Sequence, residues 1–394
     1  MFYSPGDGFE PPLKEPESFV LPLDDPGIYF YITTLFQFLQ VIILMYNNFM
    51  KAVRYYSPLN IKFEEVEDPT PRYGEVTVKV ISALTCGTDV KTYRRGHPVL
   101  IKKTPSGFGH EFSGIIEKVG DGVKDFKIGD RVVAANSAPC GKCFFCQKGQ
   151  YNLCENLDLL NGAYAQYINV PSRIVEKNLL KLPDDLSFDK AAFCEPLANV
   201  VHGAERTGIK PGDSVGVFGI GPIGLMFARV AKLMGARVIV AGRNPKKLEL
   251  AETFAHADDI IDLKKYQNPQ KIFMDFSDGG RGLDVAVECV GLPETWEQVF
   301  SLVRPGGTVH FFGGCKSGSK ITLDTTKMHY GDIKIMSVFH HTPQYFRKSL
   351  EYIASGQIEV EKLITGTLPL EKLEFAMKQH IDGNSVKFLI KPWE

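Results

Sequence analysis

Two sets of metal-donor side chains stand out in this chain. Four cysteines crowd one loop, Cys140-x2-Cys143-x2-Cys146-x7-Cys154. Thiolates at this spacing saturate a tetrahedral zinc ion and leave no position for a substrate, so the role they imply is to pin a loop. Disulfide pairing is the weaker reading, because cysteines this close strain a cross-link. The second set is scattered: Cys86 in Cys86-Gly87-Thr88-Asp89, His110 in Gly109-His110-Glu111, and Glu195 in Cys194-Glu195-Pro196-Leu197. A lone Cys or His is more often core than ligand. A thiolate, an imidazole and a carboxylate in three distinctive motifs instead suggest three ligands and an open fourth position, the pattern of a catalytic zinc.

A third feature gives these metals a reaction to serve. Gly219-Ile220-Gly221-Pro222-Ile223-Gly224 follows an apolar run and opens a helical pattern, the context a dinucleotide turn requires. Gly219 permits the tight turn, Gly221 lets backbone approach a pyrophosphate, and Gly224 lets helix and strand pack closely; Pro222 and Ile223 start the helix that faces the phosphates. An NAD site wants an acidic residue about twenty positions on. Here the chain reads Ala241-Gly242-Arg243-Asn244-Pro245-Lys246-Lys247, and the first carboxylate is Glu249. Gly242 leaves room, and Arg243 with Lys246 or Lys247 offers cations to a 2′-phosphate, so NADP is preferred over NAD. The competing reading is that Arg243 stacks on adenine and both cofactors bind.

The elements that must position these residues fall into two grammars. From Met50 to Pro196 the pattern is β-rich, with strands expected at Lys51–Tyr56, Glu75–Leu84, Phe112–Val119, Arg131–Ala135 and Tyr164–Val170. After Pro196 strands alternate with helices: strands at Ser214–Phe218, Arg237–Ala241, Asp259–Asp262, Leu283–Cys289, Thr308–Phe312 and Ile333–Val338, helices at Ile223–Met234, Lys246–Phe254 and Glu294–Leu302. That alternation predicts a parallel sheet covered on both faces. The tail from Gln344 reads helix, helix, strand, and the last strand, Val386–Lys391, is placed to return to the first domain.

Composition narrows the setting. The chain has 394 residues, 44% hydrophobic and 23% charged, with a formal net charge of −1. That is enough for two cored domains, and it carries no basic footprint for nucleic acid or anionic membrane. Clustered cysteines point to a reducing, cytoplasmic compartment. Cys194, Cys289 and Cys315 are read as buried small hydrophobes, Cys194 pointing away from the Glu195 direction on an extended segment.

Gly109-His110-Glu111-x2-Gly114-x5-Gly120-x2-Val123, with the cysteine loop and the nucleotide turn, resembles the zinc alcohol dehydrogenase family of the medium-chain dehydrogenase/reductase superfamily over Met50 to Trp393. Glu195 in Glu-Pro-Leu-Ala is similar to the branch holding sorbitol and threonine dehydrogenases. The resemblance implies an α/β fold: a GroES-like β-rich catalytic domain with a zinc lobe over 50–196, a Rossmann doubly wound parallel-sheet domain over 197–338, and a return to the catalytic domain over 339–394. It implies two zinc ions per chain, one on the four cysteines and one on Cys86, His110 and Glu195 with Glu111 as an intermittent ligand. Asp89 would orient His110, and Thr88 would take the substrate proton as hydride passes to the nicotinamide.

The implied substrate is a secondary alcohol or polyol, or the matching ketone, in a homo-oligomer, dimer or tetramer. The strand Thr308–Phe312 is a candidate to pair across a two-fold. Alternatives are a threonine-type amino-alcohol dehydrogenase using NAD and a non-catalytic zinc- and nucleotide-binding protein. Two departures from the family pattern matter. Lys91 and Tyr93 stand where a relay histidine is usual, and Val338-Phe339-His340-His341-Thr342-Pro343 stands where sorbitol dehydrogenases carry an arginine. His340 and His341 are read as pocket-lining, structural or cofactor-facing.

Residues 1–49 form an extension unlike the rest. It contains an uncharged apolar run, Ile28–Met45, at the lower limit for spanning a bilayer. A membrane anchor, a packed appendage and an early start codon are the readings. The last is favoured, because Met50 opens a strand-like stretch where chains of this family begin.

Overall fold

The computed structural model describes residues 49–98, 100–266 and 269–394. The expectations for the extension before residue 49, the apolar run included, lie outside the described residues. Met50–Glu394 forms one contact unit, and among the described residues no helix is long and apolar enough to cross a membrane.

Strand Val76–Leu84 organises the β-rich part. Its Val76, Val78 and Val80 are buried on one face, and Thr77 and Ser82 are buried on the other. A strand with two dry faces must sit inside a sheet, and this one pairs antiparallel with Phe112–Val119, with Tyr167–Val170 and with the last strand, Lys387–Lys391. The sheet runs Leu179–Lys181, Arg131–Ala134, Phe112–Val119, Val76–Leu84, Lys387–Lys391, Ile364–Pro369. The register sets Leu389 opposite Leu84 and Ile390 opposite Ala83, so the end of the chain is stitched beside Thr85-Cys86.

The second sheet is parallel throughout, in the order Asp259–Asp262, Arg237–Gly242, Ser214–Phe218, Leu283–Glu288, Val303–Phe311, Lys334–Met336. The strand order reverses at Ser214–Phe218. A crevice beyond the carboxyl ends of the strands at such a reversal is where ligands of doubly wound sheets bind. Intervening helices Pro222–Leu233, Pro245–Thr253 and Pro293–Ser301 each start with proline in the first turn, where its fixed φ costs nothing and its missing N–H is not needed.

Three sequence expectations are corrected and one element is added. Cys194 and Glu195 are not on an extended segment but in the first turn of helix Cys194–Thr207. The strand containing Thr308–Phe311 has neighbours on both sides, so the exposed edge of the sheet is Lys334–Met336. The tail holds a further strand, Ile364–Pro369, between helices Pro343–Ala354 and Leu373–Ile381. Helix Gly87–Arg95 was not expected, because it is only nine residues long and its sequence is dominated by polar and charged side chains.

His310, on Val303–Phe311, is fully buried, with both ring nitrogens unpartnered among the described residues. It packs edge-on to Phe227 and Phe312. Burial pushes its pKa down from 6.5 to about 4. The unfolded imidazole therefore binds a proton that the folded one refuses. His310's contribution is whole above pH 6.5 and drains as pH falls toward 4, by about 3 kcal/mol in full. His310→Leu is expected to lose less thermal stability than wild type between pH 7 and pH 5. Equal losses in parallel melts at the two pH values would refute this.

Candidate active site

Cys86 is the N-cap of helix Gly87–Arg95. Its Sγ accepts from Thr88 N at 3.4 Å, while Asp89 reaches back to accept from Cys86 N at 3.3 Å. This reciprocal cap places the sulfur at the positive end of the helix dipole, which favours thiolate. Asp89 works in two directions, for its other oxygen lies 3.0 Å from His110 Nδ1. Tyr164 Oη sits 2.5 Å from Asp89 Oδ2 and holds the carboxylate in place. The ring of Tyr164 packs directly on Gly109, where a Cβ would stand 2.6 Å from it. Gly109 is therefore required both by its φ of +87° and by that contact.

Glu111 follows on the same strand entry and is fully buried. One oxygen pairs with the equally buried Lys387, whose Nζ also donates to Thr85 O at 2.9 Å. The other, Oε1, has no partner among the described residues. Donor atoms of Cys86, His110 and Glu111 lie within 4.8 Å of one another. Burial raises the proton affinity of Cys86 and Glu111; the Glu111 charge raises that of Cys86 further, and the Asp89 charge adds to that of Glu111. A buried donor set of this kind, with one carboxylate oxygen left unpartnered among the described residues, fits a divalent cation.

Glu195 falls in a second group. Its carboxylate lies within 4.8 Å of donor atoms of His340 and His341, with His341 Nε2 at 3.8 Å and Asn199 Nδ2 at 3.1 Å from Oε1. Burial pushes its carboxyl up to about 7, with the Glu111 charge adding to the effect. In this arrangement Glu111 groups with Cys86 and His110, and Glu195, from the helix Cys194–Thr207, groups with His340 and His341. Thr88 is half-buried on the first turn beside Cys86. Lys91 is exposed, and Tyr93 is buried with its hydroxyl donating to Glu374 at 2.9 Å.

The four-cysteine loop gathers Cys140, Cys143, Cys146 and Cys154 within 4.8 Å. Cys143 and Cys154 sulfurs are 3.9 Å apart. Thiolates on a tetrahedral zinc with bonds near 2.3 Å stand about 3.8 Å apart, whereas a disulfide needs about 2.05 Å. The spacing is that of ligands. Backbone N–H groups at Lys142 and Cys143 pull the Cys140 thiol down to about 6.

At the nucleotide turn, Gly219 adopts φ +105°. A Cβ on Gly224 would meet Gly219 O at 1.8 Å, while Gly221 has nothing within 4 Å and leaves its backbone approachable. Gly221 caps helix Pro222–Leu233, with Pro222 and Ile223 in its first turn. Gly242 is needed for a different reason than expected: a Cβ there would strike Ile220 Cδ1 at 2.1 Å, so its space is taken by protein. Arg243 is exposed. Lys246 and Lys247 border a cavity of about 650 Å³ shared with Lys362, Gln379, Asn384 and Ser385, and no carboxylate lines it. Ser385 Oγ is buried there without a partner among the described residues.

Lys387 was missed in the sequence, although a signal existed: a lone cation interrupting the apolar run Val386–Ile390. Removing it would strand a buried carboxylate. Lys387→Met is expected to destabilise the protein by about 3–5 kcal/mol, and Lys387→Met with Glu111→Gln to recover most of that loss. Chemical denaturation of the three variants checks it; a double mutant no more stable than Lys387→Met would refute the pairing energetics.

The chain matches the family described as alcohol dehydrogenase GroES-like domain over residues 72–184 and that described as zinc-binding dehydrogenase over residues 222–355. It is 33% identical to a sorbitol dehydrogenase of Bacillus subtilis, over 87% of this chain and 97% of that one. It is 31% identical to D-arabinitol dehydrogenase 1 of Uromyces fabae, over 87% and 97%. Among solved structures, a zinc-binding dehydrogenase from Sinorhizobium meliloti bound to NADP superposes with TM-score 0.81 at 32% identity, covering 87% of this chain and 99% of that one. With a GroES-like sheet, a doubly wound parallel sheet, and the four-cysteine and Cys86–His110–Glu111 donor sets inside the first match, the chain belongs to the zinc-dependent alcohol dehydrogenases of the medium-chain dehydrogenase/reductase superfamily.

Proposed function

We propose that this enzyme oxidises a secondary alcohol or polyol, or reduces the matching ketone, with NADP preferred over NAD, in a cytoplasmic setting and as a homo-oligomer. The observation that carries the reaction is the trio Cys86, His110 and Glu111 with the bare, buried Glu111 Oε1 among them. These residues would hold the catalytic zinc, with Glu195 opposite; Cys140, Cys143, Cys146 and Cys154 would hold the structural one. Zinc bound there would supply a Lewis acid for the substrate oxygen, and a nicotinamide cofactor whose pyrophosphate is held at the Gly219–Gly224 turn would supply or accept the hydride.

The chain's own groups do the rest. The helix dipole and the Thr88 N–H favour Cys86 as thiolate. Asp89 holds the His110 ring so that its other nitrogen faces Cys86 and Glu111. Thr88, on the first turn beyond Cys86, moves the substrate proton toward solvent. Lys387 balances Glu111 so that the carboxylate can turn its free oxygen toward a cation without abandoning its charge partner.

Cofactor preference rests on the lysine-lined cavity at the start of helix Pro245–Thr253. Three lysines and no carboxylate border it, so it suits an extra phosphate better than a ribose hydroxyl seeking an acidic acceptor. Polyol substrates are supported by the kinship with sorbitol and D-arabinitol dehydrogenases. The homo-oligomer is supported by family kinship and, in place of Thr308–Phe312, by the open sheet edge Lys334–Met336.

Initial rates with NADP⁺ and NAD⁺ against polyols, simple secondary alcohols and threonine test the reading. Turnover of polyols favouring NADP⁺, shifted toward NAD⁺ by Arg243→Asp, is the expected result; turnover of threonine with NAD⁺ alone would overturn it. Thr88→Ala is expected to lower kcat by roughly 10²–10⁴-fold with metal content unchanged. A variant as fast as wild type would remove Thr88 from the proton path.

A further inference from the structure

We propose that Glu195, His340 and His341 form a second divalent-metal position beside the Cys86–His110–Glu111 trio, suited to a first-row transition ion such as zinc. One donor atom from each of the three lies within 4.8 Å of the others. They come from separate elements, Glu195 from the first turn of helix Cys194–Thr207 and the histidines from the segment that leaves strand Lys334–Met336. Two imidazoles and one carboxylate are a donor set that zinc, iron and cobalt accept.

Charge makes the case stronger. Three carboxylates are buried in this region, and Asp89 is held by His110 and Tyr164. Glu111 has Lys387, whereas Glu195 has no lysine or arginine in ion-pair contact among the described residues; its partners are the Asn199 amide and His341 Nε2. Buried carboxylates are paired or bind metal. His341 is also unusually placed. Its side chain is wholly buried, its Nε2 lies between Asn136 Oδ1 at 2.9 Å and Glu195 Oε1 at 3.8 Å, and its Nδ1 has no partner among the described residues. That is an oxygen-rich, cation-poor corner.

The histidines are held firmly. His340 adopts φ +62°, its carbonyl accepts from His202 Nδ1 at 2.7 Å, and its Nε2 lies 2.5 Å from Ser137 Oγ. Hydrogen bonds to one nitrogen of a ring are what orient metal-binding histidines. The two rings lie 4.1 Å apart, centroid to centroid.

The arrangement also resolves a stoichiometric difficulty. Cys86, His110, Glu111 and Glu195 together would close a tetrahedral ion and leave no position for substrate. Glu195 committed to the histidines leaves the trio with three donors and an open position for a substrate oxygen. This goes beyond the proposed function and holds whichever alcohol is the substrate.

The test is metal content and position. The full chain is stripped with a chelator, reloaded with excess Zn²⁺, freed of unbound ion and subjected to elemental analysis, with zinc-edge anomalous diffraction on crystals of the same material. Three ions per chain are expected, the third within about 2.0–2.2 Å of His340, His341 and Glu195 donors. His340→Ala and His341→Ala should each retain two. Should either variant fail to fold, the anomalous map of the wild type decides alone. Two ions in the wild type with no peak between Glu195 and the histidines overturns the proposal, as does an ion count that both folded variants leave unchanged.

Discussion

Glu111 has no access to water, and the architecture around it is arranged to tolerate its charge. Its counter-ion, Lys387, arrives on the last strand of the chain, and that strand can reach it because Leu389 and Ile390 pair with Leu84 and Ala83. The same pairing brings Thr85 O onto Lys387 and Phe388 N onto Thr85 Oγ1. Desolvating two opposite charges is tolerated when each also finds hydrogen bonds, and Lys387 does. The geometry of Cys86, His110 and Glu111 therefore depends on a contact between residues separated by most of the chain.

The nucleotide side depends on a different constraint, the closeness of backbones. Gly224 stands against the Gly219 carbonyl where no side chain fits, and this lets the helix start at the point where the strand order of the parallel sheet reverses. Glu288, fully buried at the end of the adjacent strand, accepts from Val290 N, Gly291 N and Thr295 Oγ1 and so fixes the neighbouring loop of the crevice. Preorganised backbone of this kind binds phosphates without further adjustment. The two halves thus meet different physical demands: charge compensation at the metal donors, close approach at the nucleotide.

Much of this was legible in the chain, for physical reasons. The four-cysteine loop is local, so spacing alone implies its chemistry, and the 3.9 Å sulfur separation agrees. The central parallel strands were legible because strands covered on both faces read as continuous apolar runs, and the edge strand Asp259–Asp262 because paired isoleucines stand between polar residues. Ser214–Phe218 and Asp259–Asp262 were located to the residue. Helix Gly87–Arg95 was not legible, since its N-terminus is set by a cysteine cap and an aspartate rather than by an apolar stripe. The reason given for Gly242 was also wrong, because Ile220, twenty-two residues earlier, occupies the space.

By itself, the sequence determined which chemistries are present: thiolates, imidazole and carboxylates in motif spacing, a glycine turn between strand and helix, and cations where an acidic residue would mark NAD. These are local properties, carried by residue type and by short separations. Only the tertiary structure decided their partnerships. It grouped Glu111 with Cys86 and His110, set Glu195 beside His340 and His341, and brought Lys387 to the buried carboxylate. Which buried charge meets which partner is decided by strand register and domain return, and neither leaves a mark in the residues that meet.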